Sequence, residues 1–292
     1  LPTPEALGIV AGWFAFQAAL LRLLPGKEFL GPVTPAGVRP VYRLNGVAAW
    51  VLTHGLLFGV LYPMGWLPVG ALYDHYGEVL VTLTVSALAF CAFLYWKGLN
   101  HPSGPDTTYT GRVAFDFFQG LELHPRLLGM NLKQLINCRV SMMGWSVVFC
   151  ACLVAQYERH GVVSTSMAAS VTLLVVYLFK FFWWESGYFG SLDIMHDRFG
   201  YYICWGVLVW VPALYCLPAL WLVDHPIAWS PWLMVGVVVL GLLSIWINYQ
   251  ADAQRQRVRA TDGQTTVWGK PPELLRARYT TKDGEERESL LL

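Results

Sequence analysis

Charge is what this sequence has least of. Only 13% of its 292 residues are Asp, Glu, Lys or Arg, about half the share of an ordinary soluble domain. The net charge at pH 7 is +1, and without clustered basic residues the chain offers no face for nucleic acid. Paired metal ligands are missing too. The six cysteines, Cys91, Cys138, Cys150, Cys152, Cys204 and Cys216, form no CxxC pair and sit almost entirely in apolar runs. They read as small buried hydrophobes, and metal or disulfide roles are set aside. His54, His75, His101, His124, His160 and His225 share no ligand spacing. There is no GxGxxG after a strand, no P-loop, no HExxH and no GxSxG. No internal repeat or matching pair of broken helices supports a transporter. No cleavable signal peptide is apparent, and with no Met before Leu1 an incomplete N-terminus is expected.

What the chain has instead is hydrocarbon: 55% apolar residues, 15% aromatic, and a mean hydropathy of +0.45. A membrane span needs about 20 mostly apolar residues. Seven segments qualify: Leu7–Leu24, Gly46–Tyr62, Val79–Trp96, Ser141–Gln156, Thr165–Trp184, Ile203–Val223 and Trp229–Tyr249, the second and fourth being short. Pro212 and Pro218 fall inside the sixth, where neighbours must satisfy the freed carbonyls. Lys and Arg gather after the first span (Arg22, Lys27, Arg39, Arg43), after the third (Lys97, Arg112, Arg126, Lys133, Arg139) and after the seventh (Arg255, Arg257, Arg259). The loops between are poor in them, so the odd connections and the C-terminal tail are expected to be cytoplasmic. The fold class is thus an all-α polytopic membrane protein with about seven transmembrane helices. Residues 1–249 form the bundle and 250–292 a cytoplasmic tail.

Two connections are too long for turns. The Pro- and Gly-rich stretch from Gly26 to Asn45 reads as an ordered extended loop. Thr110 to Arg126, TGRVAFDFFQGLELHPR, has the pattern of a helix lying in the interface, or of a re-entrant piece packed on the bundle. In the tail, Lys282-Asp283-Gly284 marks a hairpin turn between two short strands. Arg255 and Arg259, four apart on one helical face, suit phosphate or pyrophosphate groups and equally anionic lipid headgroups.

The stretch that carries chemistry runs from Phe181 to Trp210. It sets Glu185, Asp193, His196 and Asp197 between two long apolar segments, where ionisable groups are costly and usually functional. Read as one helix, Asp193, His196 and Asp197 share a face, amid Trp183, Trp184, Tyr188, Phe189, Tyr201 and Tyr202. This is either an aromatic-walled ionisable pocket or an interfacial loop with an aromatic belt and a capping Asp.

Several stretches resemble the sterol reductase family, membrane enzymes that reduce ring double bonds of sterols with NADPH. They are Leu24 to His54, the DFFQGLELHPR of Asp116 to Arg126 (with His124 where the family has Asn), Lys180 to Tyr215, Arg255 to Pro272, and Tyr279 to Leu292. The VTPAG loop, the DIMHDRFGYYICWG wording and the TDG…VWG tail are most similar to the branch that reduces the delta-7 bond, particularly plant-type sequences. The delta-14 branch comes next. The resemblance implies a reductase that protonates a sterol double bond and quenches the cation with hydride from NADPH, in the endoplasmic reticulum of a eukaryotic source. It implies catalytic roles for Glu185, Asp193 and Asp197, as proton donor or as pocket organisers, and NADPH phosphate binding by Arg255 and Arg259. Tyr177, Phe181, Trp184, Glu185 and Tyr188 follow helical spacing that gives one face suited to lining a sterol slot, with His196 beside them. Sterol and membrane lipids are the expected partners, with other membrane subunits as a further option and no nucleic acid. Family members continue with a SGWWGxxRHxxY stretch and a C-terminal RDxxRCxxKYG signature, whereas this chain ends at Leu290-Leu291-Leu292. Two readings follow: a reductase given without its C-terminal part, or a shortened, non-catalytic sterol- or lipid-binding membrane subunit.

Overall fold

The computed structural model describes residues 1–280 and 284–291, and the chain is mostly helical. It divides into two compact units, Leu1–Val238 and Val239–Leu292. Among the described residues six helices are long and apolar enough to cross a membrane. They are α1 (Pro4–Leu23), α3 (Tyr76–Asn100), α5 (Gln134–His160), α6 (Thr165–Trp183), α9 (Tyr201–Asp224) and α10 (Pro231–Ala260). The shorter apolar α2 (Gly46–Leu61) meets the second of the expected segments. Every expected span is therefore met by a helix, with the fourth starting seven residues earlier than its apolar run (Gln134 against Ser141).

Local signals set the ends. Thr3 caps α1 by accepting a hydrogen bond from the Ala6 amide, with Pro4 in the first turn. Ser164 does the same for α6 through the Met167 amide. Gly161 closes α5 in the left-handed region at φ 70°. Three helices contain π-helical stretches, Gly55–Leu61, Gln134–Ser141 and Gly206–Tyr215. In the last of these Pro212 lacks the amide hydrogen that an α-helical ladder would use.

The core of the first unit is built where α1, α3, α5 and α9 meet, around Leu21, Cys91, Ile136, Phe199 and Cys204. A second cluster joins α5, α6 and α9 around Phe149, Cys152, Met167 and Cys216. All six cysteines are free thiols, and all but Cys150 are fully buried.

The long connections differ from expectation in detail. Gly26–Asn45 holds a short antiparallel pair, β1 (Lys27–Leu30) with β2 (Val41–Leu44). The interfacial helix expected over Thr110–Arg126 is cut to α4 (Val113–Gln119). Gly120 ends it at φ 90°, and the chain continues as extended loop into β3 (Arg126–Leu127) and β4 (Met130–Asn131). Asp116, wholly buried, accepts from the Thr110 amide and hydroxyl. Glu122 pairs with Lys97 at 2.8 Å with both side chains buried. The run of positive residues after the third span is also not a solvated set: Lys97, Lys133 and Arg139 are buried.

In the second unit the tail of α10 is followed by β5 (Leu275–Thr280), paired antiparallel with β6 (Glu286–Leu291). This is the expected hairpin. Lys282 and Asp283 of its turn lie outside the described residues, and Gly284 has φ 81°. Arg276 ties the turn at Asp262 to the hairpin through a 3.1 Å bond to the Asp262 carboxylate.

Candidate functional site

The acidic stretch is not one helix. α6 ends at Trp183, and Trp184 leaves helical geometry at φ −112°, ψ 39°. Two single turns follow, α7 (Glu185–Tyr188) and α8 (Leu192–Met195), before α9 begins at Tyr201. The shared face expected for Tyr177, Phe181, Trp184, Glu185 and Tyr188 is therefore broken at Trp184. The one expected for Asp193, His196 and Asp197 ends at Met195. The fold of the main chain here depends on glycine. A Cβ at Gly187 would come 2.5 Å from the Trp184 indole. A Cβ at Gly200 would come 2.1 Å from the Gly120 nitrogen, and the Phe199 amide donates to the Glu122 carbonyl at 2.9 Å. So the Gly120 of the DFFQG signature and the Gly200 of the DRFGYY signature are where two backbones cross in contact.

Behind this crossing lies a buried ion pair that sequence spacing did not bring together. Arg139 of α5, with no exposed surface, reaches Glu185 in bidentate fashion, Nη1 to Oε1 at 2.5 Å and Nη2 to Oε2 at 3.1 Å. Arg139 Nη2 also donates to Asn45 Oδ1 at 2.8 Å. Asn45 Nδ2 in turn serves the Leu20, Leu21 and Leu24 carbonyls, the open end of α1. One network thus holds α1, the start of α2, α5 and α7 together. Gly46 is part of it, since a Cβ there would lie 2.8 Å from Glu185 Oε2. A cavity of about 430 Å³, lined by Pro25, Asn45, Gly46, Phe182, Trp183 and Glu185, opens beside the pair.

Lys133 organises the other acids. Wholly buried, its ammonium donates to the main-chain carbonyls of Asp193 (3.0 Å), Ile194 (2.9 Å) and Asp197. Burial pulls its pKa down to about 7, against the upward pull of the Asp197 and Asp193 carboxylates. Asp193 and His196 reach the surface and Asp197 is half-buried. Partial desolvation of the Asp193 carboxyl, and then the nearby Asp197 charge, raise its pKa above the ordinary carboxylate value.

The aromatic residues form a packed wall. Phe189 stacks on Tyr42 at 4.1 Å, and Phe181 meets Tyr188 at 5.0 Å. The Tyr188 hydroxyl accepts from Asn137 Nδ2 at 3.2 Å. The Tyr42 hydroxyl lies 3.3 Å from His124 Nδ1, and burial, then the Lys133 charge, lower the pKa of His124 to about 3. This explains how the chain accommodates His124: as a neutral, half-buried ring. Tyr177 lies apart, in edge contact with Trp145 at 6.1 Å. None of Tyr177, Phe181, Trp184, Tyr188 and His196 lines a second, apolar cavity of about 590 Å³.

In the second unit α10 continues unbroken to Ala260, so Arg255 and Arg259 do share a helical face. Both are exposed, and Arg255 Nη2 bonds Asp252 Oδ1 at 2.7 Å. Exposed guanidinium groups one turn apart are a donor set that fits phosphate oxygens.

Lys133, Arg139 and Asn45 are the residues missed by spacing alone. The available signal was that NLKQLINCRVSMMGW places two cations inside an apolar run, where a charge must find a partner.

The model of the Ergosterol biosynthesis ERG4/ERG24 family matches residues 1–285. The chain is 45% identical over 292 residues to the 7-dehydrocholesterol reductase of Arabidopsis thaliana, covering 100% of this chain and 67% of that protein. It is 36% identical over 277 residues to the Delta(14)-sterol reductase of Methylotuvimicrobium alcaliphilum, covering 95% and 64%. It is 32% identical over 303 residues to the 7-dehydrocholesterol reductase of Xenopus laevis, covering 99% and 64%. The chain thus spans about two thirds of the length of these relatives.

Proposed function

The chain belongs to the ergosterol biosynthesis ERG4/ERG24 family, and from that premise we propose that its protein is an NADPH-dependent sterol reductase acting on the delta-7 ring double bond. The observation that carries the choice is the 45% identity with the plant 7-dehydrocholesterol reductase along the whole chain, against 36% with the delta-14 enzyme. Relatives named as reductases favour the enzyme over a non-catalytic membrane subunit.

In this reading NADPH supplies the hydride, and Arg255 and Arg259 hold its phosphates from the cytoplasmic side of α10. Asp193 and Asp197 provide the proton. Lys133 fixes the main chain that carries them, and partial desolvation with the neighbouring Asp197 charge shifts the Asp193 carboxyl upward, the direction a proton donor needs. Glu185 acts through Arg139, anchoring α7 and with it the aromatic wall of Phe181, Trp184 and Tyr188 that faces the sterol. His196, exposed next to Asp197, contacts the substrate.

The test is sterol-dependent oxidation of NADPH by the intact gene product in lipid nanodiscs. Turnover of a 7-dehydrosterol is expected, with Asp193→Asn or Asp197→Asn lowering kcat by about 100-fold, the lower end for loss of a general acid. No oxidation of NADPH with either a delta-7 or a delta-14 substrate refutes the assignment.

A further inference from the structure

An apolar cavity lies in the first unit, apart from the acidic segment. Its volume is about 590 Å³, within the range of about 300–1,000 Å³ found for small-molecule sites. Its walls come from α1, α2, α3, α5 and α9, all apolar helices. Glu185, Asp193 and Asp197 contribute nothing to it.

Two independent features mark this cavity as built. The first is that all three π-helical stretches among the described residues reach it, through Leu57 and Leu61, through Val140 and Ser141, and through Val207 and Pro212. Such stretches are rare and concentrate at functional sites. The second is how their carbonyls are used. The Val140 carbonyl accepts from Trp13 Nε1 at 3.0 Å, Val207 from the Ser141 hydroxyl at 2.5 Å, and Pro212 from the Tyr76 hydroxyl. Trp13, Ser141 and Tyr76 line the same cavity. Its loosened backbone is therefore satisfied from within the protein, as hydrocarbon surroundings require, and the wall left over is apolar.

The shape and the charges select the occupant. Gly8 and Gly12, one turn apart on α1, have no heavy atom within 4 Å of a Cβ placed on either, so this side of the cavity is broad and smooth. Besides the Tyr76 phenol, which is engaged by the Pro212 carbonyl, the ionisable groups on its lining are Glu5 and His75, near the starts of α1 and α3. His75 hydrogen bonds Glu78, which also accepts from Thr3. A ligand here has a wide apolar body and one small neutral polar end. A phospholipid would place its phosphate beside Glu5 and Glu78, and like charges in that position repel. A single acyl chain would leave the width unfilled.

We infer that this cavity holds a membrane sterol as a resident ligand that does not react, its rings over Gly8 and Gly12 and its hydroxyl at Glu5 and His75. The inference rests on the proposed function only for the choice of a sterol as the lipid.

The experiment is photolabelling of the intact protein in phosphatidylcholine nanodiscs with a cholesterol that carries a diazirine on its rings. Label is expected on α1 and α5 peptides, competed by unlabelled cholesterol and not by added phosphatidylcholine. Gly12→Leu, and independently Gly8→Leu in case one variant misfolds, should reduce that label at least about tenfold. Gly236→Leu, with open space around it and no part in the lining, should leave it unchanged. NADPH oxidation with a 7-dehydrosterol should stay within about twofold of wild type in both cavity variants. The inference is overturned by label that persists in both variants, by competition from phosphatidylcholine, or by loss of turnover in step with label, which would make the cavity the reaction pocket. Labelling of a wild type that oxidises no NADPH overturns the reductase assignment instead and leaves this one standing.

Discussion

Replacing Glu185 by Leu leaves the Arg139 guanidinium buried with only Asn45 as a partner, because both carboxylate bonds go to that one side chain. Removing one partner of a buried ion pair costs about 3–5 kcal/mol. The Arg139→Met variant should cost a similar amount, by stranding the Glu185 carboxylate. The double variant Arg139→Met with Glu185→Leu removes both charges, and its remaining loss is the unpaired Asn45 oxygen, about 1–3 kcal/mol. The double variant should therefore be more stable than either single one, with a coupling energy of at least about 3 kcal/mol between the two sites. Equilibrium unfolding of all four proteins in mixed detergent micelles, followed by tryptophan fluorescence, measures this cycle. Single-variant losses that simply add in the double would refute the pair as the holder of α7. The same proteins separate two roles for Glu185. A folded double variant that retains sterol-dependent NADPH oxidation makes Glu185 a positioning residue, and a folded one without turnover refutes a role limited to anchoring α7.

Lys133→Met removes the donor from three carbonyls of the Asp193–Asp197 segment, and faster amide exchange confined to residues near 193–200 is expected. Because its folded pKa of about 7 lies below its ordinary 10.5, the unfolded chain binds the extra proton between those values. Stability from this group should then rise as pH climbs from about 7 to 10.5 and stay flat below, a slope that Lys133→Met should abolish in pH-dependent unfolding. Gly200→Ala drives a Cβ into the Gly120 backbone and should abolish monodisperse protein on size exclusion, whereas Gly37→Ala, in open space though strained at φ 79°, should be purified intact. Arg255→Ala with Arg259→Ala should weaken NADPH affinity by titration and leave sterol binding intact. An unchanged NADPH affinity removes their assigned role.

Membrane spans were legible because length and hydropathy decide them with little help from tertiary structure. All seven apolar segments became helices, and Arg255 and Arg259 lie on the single helix their spacing implied. The acidic segment was legible as a site of interest but not as a shape. Helical spacing carried across Trp184 and Met195 assumes a helix that continues, and here glycines at 187, 190 and 200 let packing break it into single turns. Lys133 and Arg139 counted as loop charges because a charge census does not register depth. Their partners, Asp193 and Asp197 some sixty residues on and Glu185 forty-six residues on, are fixed only by the fold.

The contact between Gly120 and Gly200 also sets an order of assembly. Its halves are separated by two complete spans, α5 and α6. A ribosome therefore delivers the first half long before the second exists, and the loop that carries it must wait at the bilayer edge while both spans insert. Mutations that slow the insertion of α5 or α6 would lengthen that wait and expose Phe115, Phe117 and Phe118 to aggregation. Damage remote from the acids would then surface as poor yield of protein rather than as altered turnover.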